Sequence, residues 1–430
     1  MVFDSLLLGK LTLTLCLTVL GLVCLSLLKD RDSRFSSFVV KVCSLFLVVR
    51  IGTFFLVFVI GQSQVQSDVV YYYDWAVLVN KGYIPGVSQN VPLRYGPLFL
   101  YVLAFLTRIW NDPKIIILFS ILTELILFIV WLSLRKVVCD DLTMKRASVM
   151  YACCPLSILT SAVGGNNDVL AGMFVSIIVV LSFWNKPALS GLATGFSVVT
   201  SKALTALAGL PVFLASGHKA LWLLGAILPI VIVYLWTFFL SADALAGLQF
   251  AGTTYSSGNL PFLVSLLGLD VVTGLGRWIA NCIGALLVLL VTSLPLLAYK
   301  SFSRTDIVPI VAAATVMFML VSAKSFPHYM LIALFPIMII IAEMEGKSRM
   351  VVYCVFSVLT SVESSLWFRI FNNESPMTIY ERSPSNQITF VLFGIIETSL
   401  LAMYGVILWR CIRQYVNTAL VRWQNVEALH

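Results

Sequence analysis

The chain has 430 residues, of which 60% are hydrophobic and only 11% are charged, and its formal net charge is +8. A mean hydropathy of +0.98 excludes an ordinary soluble domain. The basic residues are dispersed among connecting segments, so the positive charge does not indicate a nucleic-acid partner. We therefore expect an all-α polytopic membrane protein in which residues 1–430 form one membrane domain.

Apolar stretches that suit about 30 Å of hydrocarbon recur from end to end. We predict about thirteen crossings, the shorter of which tilt or break where they line a cavity. The predicted segments are 6–28, 38–61, 113–135, 148–163, 169–185, 188–201, 203–216, 220–240, 277–299, 307–322, 328–343, 350–367 and 389–410. The first is expected to be a membrane helix, because Lys29-Asp30-Arg31 does not resemble a signal-peptide cleavage site.

The distribution of Lys and Arg predicts the orientation. Assigning alternate loops to the cytoplasm places more than half of these residues there, with the N-terminus outside and the C-terminus inside. The long connections 62–112 and 241–276 then lie on the outer or lumenal face. Within the first of them, residues 96–110 form an apolar run bracketed by prolines, which favours an interfacial helix.

The segment Gln66-Ser67-Asp68-Val69-Val70-Tyr71-Tyr72-Tyr73-Asp74-Trp75 carries two carboxylates and an aromatic cluster beside the predicted membrane surface. Ser67 or Asp68 is a plausible N-cap for a helix that runs towards Gly82. Two hypotheses follow for Asp68: it only caps an amphipathic helix, or it is a general base that takes a proton from an attacking hydroxyl. Asp74 could cap, orient or bind a sugar hydroxyl, and the sequence does not rank these roles.

Three further motifs fall on the same predicted face. Arg94-Tyr95-Gly96-Pro97-Leu98 predicts a turn. Gly164-Gly165-Asn166-Asn167-Asp168 suits a tight turn or a site for a hydroxylated ligand equally well. Lys202 and Lys324 are exceptions to the basic-residue bias; each could snorkel to the interface, but together they suggest a site for an anionic group such as a lipid phosphate. His328 is expected to cap a helix or make a hydrogen bond rather than bind a metal, and with only three histidines in the chain we do not expect a His-based metal site.

In this order, the motifs of residues 66–211 resemble those of the GT-C glycosyltransferases, multi-spanning enzymes that use polyprenyl-phosphate sugars. Within them, the chain is most similar to the catalytic subunit of glycosylphosphatidylinositol mannosyltransferase I and its prokaryotic relatives. The matching residues are Asp68, Asp74-Trp75-Ala76, Gly82-Tyr83-Ile84-Pro85, Tyr95-Gly96-Pro97-Leu98, Gly165-Asn166-Asn167-Asp168 and Ser201-Lys202, with a weaker match at Pro327-His328-Tyr329 and Leu334-Phe335-Pro336. Gln66 replaces the first acid of the family's Asp-x-Asp motif, which leaves a divalent metal open, and the family's Tyr-Pro does not follow Lys202.

The resemblance implies an inverting transfer of a hexose, by analogy mannose, from a polyprenyl-phosphate sugar to a hydroxyl of a lipid-linked or glycan acceptor. Asp68 would be the catalytic base, and Lys202 or Lys324 would stabilise the departing lipid phosphate. The predicted substrate-binding residues are Tyr72, Asp74, Arg94, Tyr95, Asn166, Asn167, Asp168, Lys202, Lys324 and His328, and no residue is assigned as a metal ligand. The expected location is the plasma membrane or the endoplasmic reticulum, among membrane lipids, with the site on the outer or lumenal face.

Two other classes remain open from the sequence. A transporter or lipid flippase would show repeated halves around a mid-membrane polar site; no repeat is visible, and intramembrane charge is limited mainly to Arg50 and Glu124, with Glu363 near a helix end. In a non-catalytic membrane subunit, Asp68 would be only a helix cap.

Asn373-Glu374-Ser375 is a glycosylation sequon on the predicted outer face, a pattern that is common by chance.

Overall fold

The computed structural model describes residues 5–28, 35–66, 68–88, 90–240, 243, 246, 254–299, 304–371, 374–381 and 387–427. Every regular element in these ranges is helical, which confirms the all-α class. Each of the thirteen predicted apolar segments contains helix. The sequon residue Asn373 and the cap candidate Ser67 lie outside the described residues.

The α-helices are numbered in chain order. They are α1 Ser5–Ser26, α2 Phe35–Phe54, α3 Asp68–Asn80, α4 Phe99–Ile109, α5 Lys114–Ser133, α6 Arg135–Val138, α7 Asp141–Ala152, α8 Pro155–Ile158, α9 Asp168–Phe183, α10 Pro187–Thr200, α11 Ala206–Ala215, α12 Lys219–Phe239, α13 Leu260–Leu266, α14 Gly274–Tyr299, α15 Ile307–Val321, α16 Leu334–Ala342, α17 Gly346–Ile370, α18 Pro376–Glu381 and α19 Gln387–Glu427. Wider π-helical turns extend α2 to Ile60 and α8 to Val163, and 3₁₀ turns precede α11, α15 and α16.

Seven helices in the described ranges are long and apolar enough to cross a membrane, and a bent pair passes the same test together. The seven are Leu7–Ser26, Phe35–Ile60, Lys114–Ser133, Lys219–Phe239, Gly274–Ser293, Gly346–Phe368 and Gln387–Asn417, and the pair is Asp141–Ala152 with Pro155–Val163. The predicted crossings at 169–185, 188–201, 203–216, 307–322 and 328–343 correspond to apolar helices of 10–17 residues. At 1.5 Å per residue these are shorter than a hydrocarbon core of about 30 Å.

The chain folds into two compact units, and each unit combines segments that are distant in the sequence. The first unit comprises Arg31–Ser148 and Ser157–Thr253, and the second comprises Met1–Asp30, Val149–Leu156 and Thr254–His430. Helices α2–α6 and α9–α12 therefore belong to the first unit, whereas α1 and α13–α19 belong to the second.

A buried ion pair lies within the first unit. The Arg50 guanidinium donates to both Glu124 carboxylate oxygens, at 2.9 and 2.8 Å, and both side chains are fully buried. The Ser157 hydroxyl forms hydrogen bonds with both side chains, and the centroid of the Phe46 ring lies 3.7 Å from the guanidinium carbon. This bidentate pairing satisfies both charges, so the two intramembrane charges in α2 and α5 have a structural explanation.

In the same unit, α10 and α12 pack with their backbones in contact. A Cβ placed on Gly191 would lie 1.9 Å from the Trp222 carbonyl oxygen, and one placed on Gly195 would lie 2.3 Å from that of Ala226. Only glycine allows such an approach, as in small-residue interfaces between membrane helices. The packing fixes α10, whose C-terminal end leads into Lys202.

The core of the second unit includes a cluster of seven buried apolar residues that joins its elements. They are Leu7, Phe262, Leu266, Leu366, Trp367, Ile379 and Phe393. Helix α15 is buried over its first ten residues, from Ile307 to Val316. A helix that is apolar all round has no polar face to expose, which explains this central position.

Candidate active site

The candidate catalytic carboxylate stands at the start of α3. Asp68 is the first residue of the helix and is exposed, whereas Val69, Tyr72 and Ala76 at helical spacing are buried. The apolar stripe therefore anchors α3, and its N-terminal end carries Asp68. Unpaired backbone N–H groups give a helix N-terminus partial positive charge, which favours a carboxylate there.

Two tyrosine hydroxyls flank this carboxylate on one side. The Tyr95 and Tyr72 hydroxyls lie 3.3 and 3.4 Å from Asp68 Oδ2, which is long for O–H···O bonds that usually span 2.5–3.0 Å. Asp68 Oδ1 accepts no hydrogen bond from a described residue. The carboxylate therefore keeps acceptor capacity for a substrate hydroxyl.

Tyr72 is held as a hydrogen-bond donor. It is 2% exposed, and its burial raises the pKa of its phenol well above the usual value, with further contributions from neighbouring Tyr95 and Asp68. Its ring makes edge-to-face contacts with Tyr95 at 5.2 Å and Phe99 at 5.1 Å between centroids. The phenol therefore stays protonated, and the aromatic contacts fix its position beside Asp68.

The turn that carries Tyr95 is bonded to the end of α10. The Gly96 N–H donates to the Ser201 carbonyl at 3.2 Å, and the Leu98 N–H donates to that of Val199 at 2.8 Å. A Cβ on Gly96 would lie 2.4 Å from the Val199 carbonyl carbon, so no larger residue fits without displacing this backbone. The contact brings Tyr95 into the neighbourhood of Lys202.

The glycine-rich turn before α9 packs against the start of α3. Gly165 has a φ of +53°, and a Cβ there would lie 2.8 Å from the side chain of Val69. Only glycine adopts this backbone so close to a neighbour without strain. The turn thus places Asp168, the first residue of α9, near Tyr72.

Asp168 and Lys202 form an ion pair. The Lys202 ammonium lies 2.7 Å from Asp168 Oδ1, and the two side chains are 18% and 2% exposed. The Asn167 side-chain amide donates to the Ser201 carbonyl at 3.4 Å. The side-chain oxygens of Asn166 and Asn167 are buried without a hydrogen-bond partner among the described residues, so both can accept from a bound hydroxyl.

Five of the predicted site residues therefore come together: Asp68, Tyr72, Tyr95, Asp168 and Lys202. We call these five the Asp68 cluster, and Asn166 and Asn167 adjoin it. The motifs that supply them are far apart in the chain, but they meet in one unit. The sequence did not predict the partner of Lys202, the aromatic contacts of Tyr72 or the backbone role of Ser201. Gly96 and Gly165 were interpreted only as turn residues, although glycine also permits the close backbone contacts seen here.

The other predicted residues make different contacts. Asp74 is exposed and makes no hydrogen bond or ion pair with a described residue, and Arg94 lies over the Trp75 ring at 5.6 Å. Lys324 and His328 belong to the second unit. There the Lys324 N–H donates to the Ser322 hydroxyl at 3.3 Å, and the His328 ring stacks on Phe326 at 5.1 Å.

The described part of the chain holds no group of three or more His, Cys, Asp or Glu residues that could bind a metal ion. Residue 66 is Gln rather than an acid, so positions 66 and 68 together supply one carboxylate and one amide. The sequence left open whether a divalent metal binds. The described residues contain no site in which three His, Cys, Asp or Glu side chains could hold one.

No family model matches the chain, and no curated protein matches it significantly. Among solved structures, it is similar to the crystal structure of ArnT from Cupriavidus metallidurans bound to undecaprenyl phosphate. The identity is 12% and the TM-score is 0.48, and the match covers 85% of this chain and 76% of that one. Similarity at this level assigns neither a family nor an activity.

Proposed function

We propose that the protein is a membrane glycosyltransferase of the GT-C type, which transfers a hexose from a polyprenyl-phosphate sugar to a hydroxyl of a lipid-linked or glycan acceptor with inversion. The observation that carries the proposal is the Asp68 cluster. An exposed carboxylate with an unused acceptor oxygen stands beside two phenols and near a lysine ammonium that a buried aspartate holds in place. These are the groups that such a transfer needs.

The reaction follows from the chemistry of these groups. The acceptor hydroxyl gives its proton to Asp68 while its oxygen bonds to the anomeric carbon of the sugar. The bond from that carbon to the phosphate oxygen breaks on the opposite face, and the oxygen leaves with the electron pair. The phosphate gains one negative charge in this step and needs a cation rather than a general acid. Lys202 would supply that charge.

Asp168 has a separate role in this proposal. By pairing with Lys202 at 2.7 Å, it holds the ammonium in one position before the substrate binds. A preorganised charge stabilises a transition state more than one that must reorient during the reaction. A single base differs from the two-carboxylate arrangement of glycosidases, in which a second acid protonates the leaving group.

The position of the cluster suits a lipid-linked donor. Helix α3 is not among the candidate membrane spans, and α4, which follows its loop, is a short apolar helix of 11 residues. Both belong to the segment 62–112, for which the Lys and Arg distribution favours the outer or lumenal face. A site there could receive a sugar phosphate while the isoprenoid chain stays in the bilayer. Mannose is the first sugar to test, because of the sequence resemblance.

The test is to incubate the purified full-length protein in lipid nanodiscs with labelled polyprenyl-phosphate mannose, glucose and other hexoses, together with lipid-linked and soluble glycan acceptors. We expect label to move from at least one donor to a hydroxyl of an acceptor. Free nucleotide sugars serve as the matched donor control and should give no product. If no donor is used, the proposal fails, and the transporter and non-catalytic alternatives gain weight.

A further inference from the structure

Two glutamates of the second unit meet in its interior. Glu363 of α17 and Glu397 of α19 are both fully buried, and their carboxyl groups lie within hydrogen-bonding reach of each other. The Gly258 N–H donates to both Glu397 oxygens, at 3.0 and 3.3 Å. A Cβ on Gly258 would lie 3.3 Å from Glu363 Oε2, so this backbone sits directly over the pair.

Further oxygen atoms surround the pair without partners of their own. Ser257 lies beside Glu363, and the Tyr404 hydroxyl is close enough to interact electrostatically with both carboxyl groups. The Ser257 and Tyr404 hydroxyls and both Glu363 oxygens are buried, and no described residue makes a hydrogen bond of normal geometry with any of them. Buried polar atoms are usually satisfied, so several unpartnered oxygens close to one carboxyl pair indicate a ligand.

The charge of the pair points to the kind of ligand. Among the described residues, no basic side chain forms an ion pair with either carboxylate. Two unpaired carboxylates are costly inside a membrane protein. One shared proton would leave a full negative charge, whereas one divalent cation neutralises both groups. The surrounding ligands are all oxygen atoms, which hard cations such as Ca²⁺ and Mg²⁺ prefer.

We propose that Glu363, Glu397, Ser257 and Tyr404 form a binding site for one hard divalent cation. None of these residues belongs to the Gln66–Asp68 motif, and the proposal does not depend on the proposed glycosyl transfer. Two carboxylates suffice as charged ligands when hydroxyl or carbonyl oxygens and water complete the coordination.

The cation would have a structural effect. Segment 254–259 connects to its surroundings through the Ser256 N–H, which donates to the Ala323 carbonyl at 2.9 Å, and through Asn259, which caps α13 by accepting from the Phe262 N–H at 2.9 Å. A cation held by Ser257 on this segment and by one carboxylate from each of α17 and α19 would fasten the segment to both helices. Binding should therefore stabilise the folded protein.

The test uses the purified full-length protein after treatment with a chelator. Ca²⁺ and Mg²⁺ are titrated separately, and binding is measured by equilibrium dialysis with elemental analysis, in parallel with thermal unfolding. We expect one ion per chain at saturation in at least one arm, and a rise in the unfolding temperature in the same arm. A folded wild-type protein that takes up no stoichiometric ion in either arm would overturn the proposal and favour carboxyl groups that hold protons.

Variants locate the site. Replacing Glu363 and Glu397 together by Gln keeps the shapes but removes both charges, and should abolish binding and the thermal shift. Glu345→Gln, an exposed glutamate of the same unit, should bind as the wild type does. Ser257→Ala should weaken binding about tenfold without loss of charge, and it serves where the double variant does not fold. Undiminished binding by the folded double variant, or by Ser257→Ala where the double variant does not fold, would contradict the assignment.

Discussion

The Asp68 cluster and the Glu363–Glu397 pair show two opposite ways of placing carboxylates in a largely apolar chain. Asp68 is exposed, has an acceptor oxygen that no described residue uses, and shares its unit with the Asp168–Lys202 ion pair. Glu363 and Glu397 are fully buried, contact each other and form no ion pair with a described base. The first arrangement leaves a charge available to a substrate, whereas the second requires a bound ligand or protons to be tolerated.

Arg50 and Glu124 provide a third case that sharpens the contrast. Their charges cancel in a bidentate contact, so this pair needs no ligand and offers no free acceptor. The same residue type, glutamate, is therefore structural in α5 and a candidate ligand in α17 and α19. The surroundings of a carboxylate decide its role more than its position in an apolar segment does.

The largest effect is expected from Asp68→Asn. The amide cannot take a proton from the acceptor, so transfer should fall about 10³-fold while folding is unchanged. Asp112→Asn is the matched control: it lies in the same segment, its ion pair with Lys114 is partly exposed, and Asn also caps helices well. Initial rates with the best donor and circular dichroism of both variants measure the effect. Normal transfer by Asp68→Asn would refute the base assignment.

Lys202→Met should follow with a loss of about 10²-fold in transfer, because the leaving phosphate loses its counter-charge. The variant also leaves Asp168 buried without its partner, which should lower the free energy of unfolding by about 3 kcal/mol. The double variant Asp168→Asn with Lys202→Met separates these effects. It should recover stability without recovering transfer. Recovery of both would show that the ion pair has only a structural role and that Lys202 does not stabilise the leaving phosphate.

Gly96→Ala tests whether the contact between the Tyr95 turn and α10 is needed. The added Cβ would meet the Val199 backbone, which should destabilise the protein by about 1–3 kcal/mol and displace Tyr95 from Asp68. Gly52→Ala in α2 is the control, since no atom lies within 4 Å of its Cβ and Ala favours a helix. Thermal unfolding compares the two variants. Equal stability would show that the turn can move without cost.

Tyr95→Phe should have the smallest effect. Loss of one neutral donor at 3.3 Å from Asp68 Oδ2 should reduce transfer about tenfold with little change in stability. Tyr101→Phe, on α4 of the same unit, removes a hydroxyl that makes no hydrogen bond with a described residue and should retain full activity. A similar loss in both variants would show that the phenol of Tyr95 has no specific role.

Helix positions could be predicted well because long apolar segments in a membrane have few alternatives to helix. The thirteen predicted segments all contain helix, and residues 96–110 correspond to α4 at Phe99–Ile109. The length of a regular span could not be judged where Gly, Pro or Ser interrupts an apolar run. The shorter helices, such as α10 and α11, therefore remain predictions as crossings.

The candidate site was only partly predictable. Local motifs singled out Asp68, Tyr95, Asp168 and Lys202, and the glycines of two of these motifs predicted turns. Which side chains touch depends on tertiary contacts, so the pairing of Lys202 with Asp168 did not follow from spacing. Glu397 gave no signal of its own, because its burial opposite Glu363 becomes apparent only when α17 and α19 pack.

If one carboxylate drives a single displacement at the anomeric carbon, the configuration at that carbon must invert, and the stereochemistry of the wild-type reaction shows whether it does. A polyprenyl-phosphate mannose of defined β configuration is supplied with an acceptor, and the anomeric signal of the product is measured by NMR. We expect an α-linked product throughout the reaction. A β-linked product, or no glycoside from any hexose donor, would contradict it.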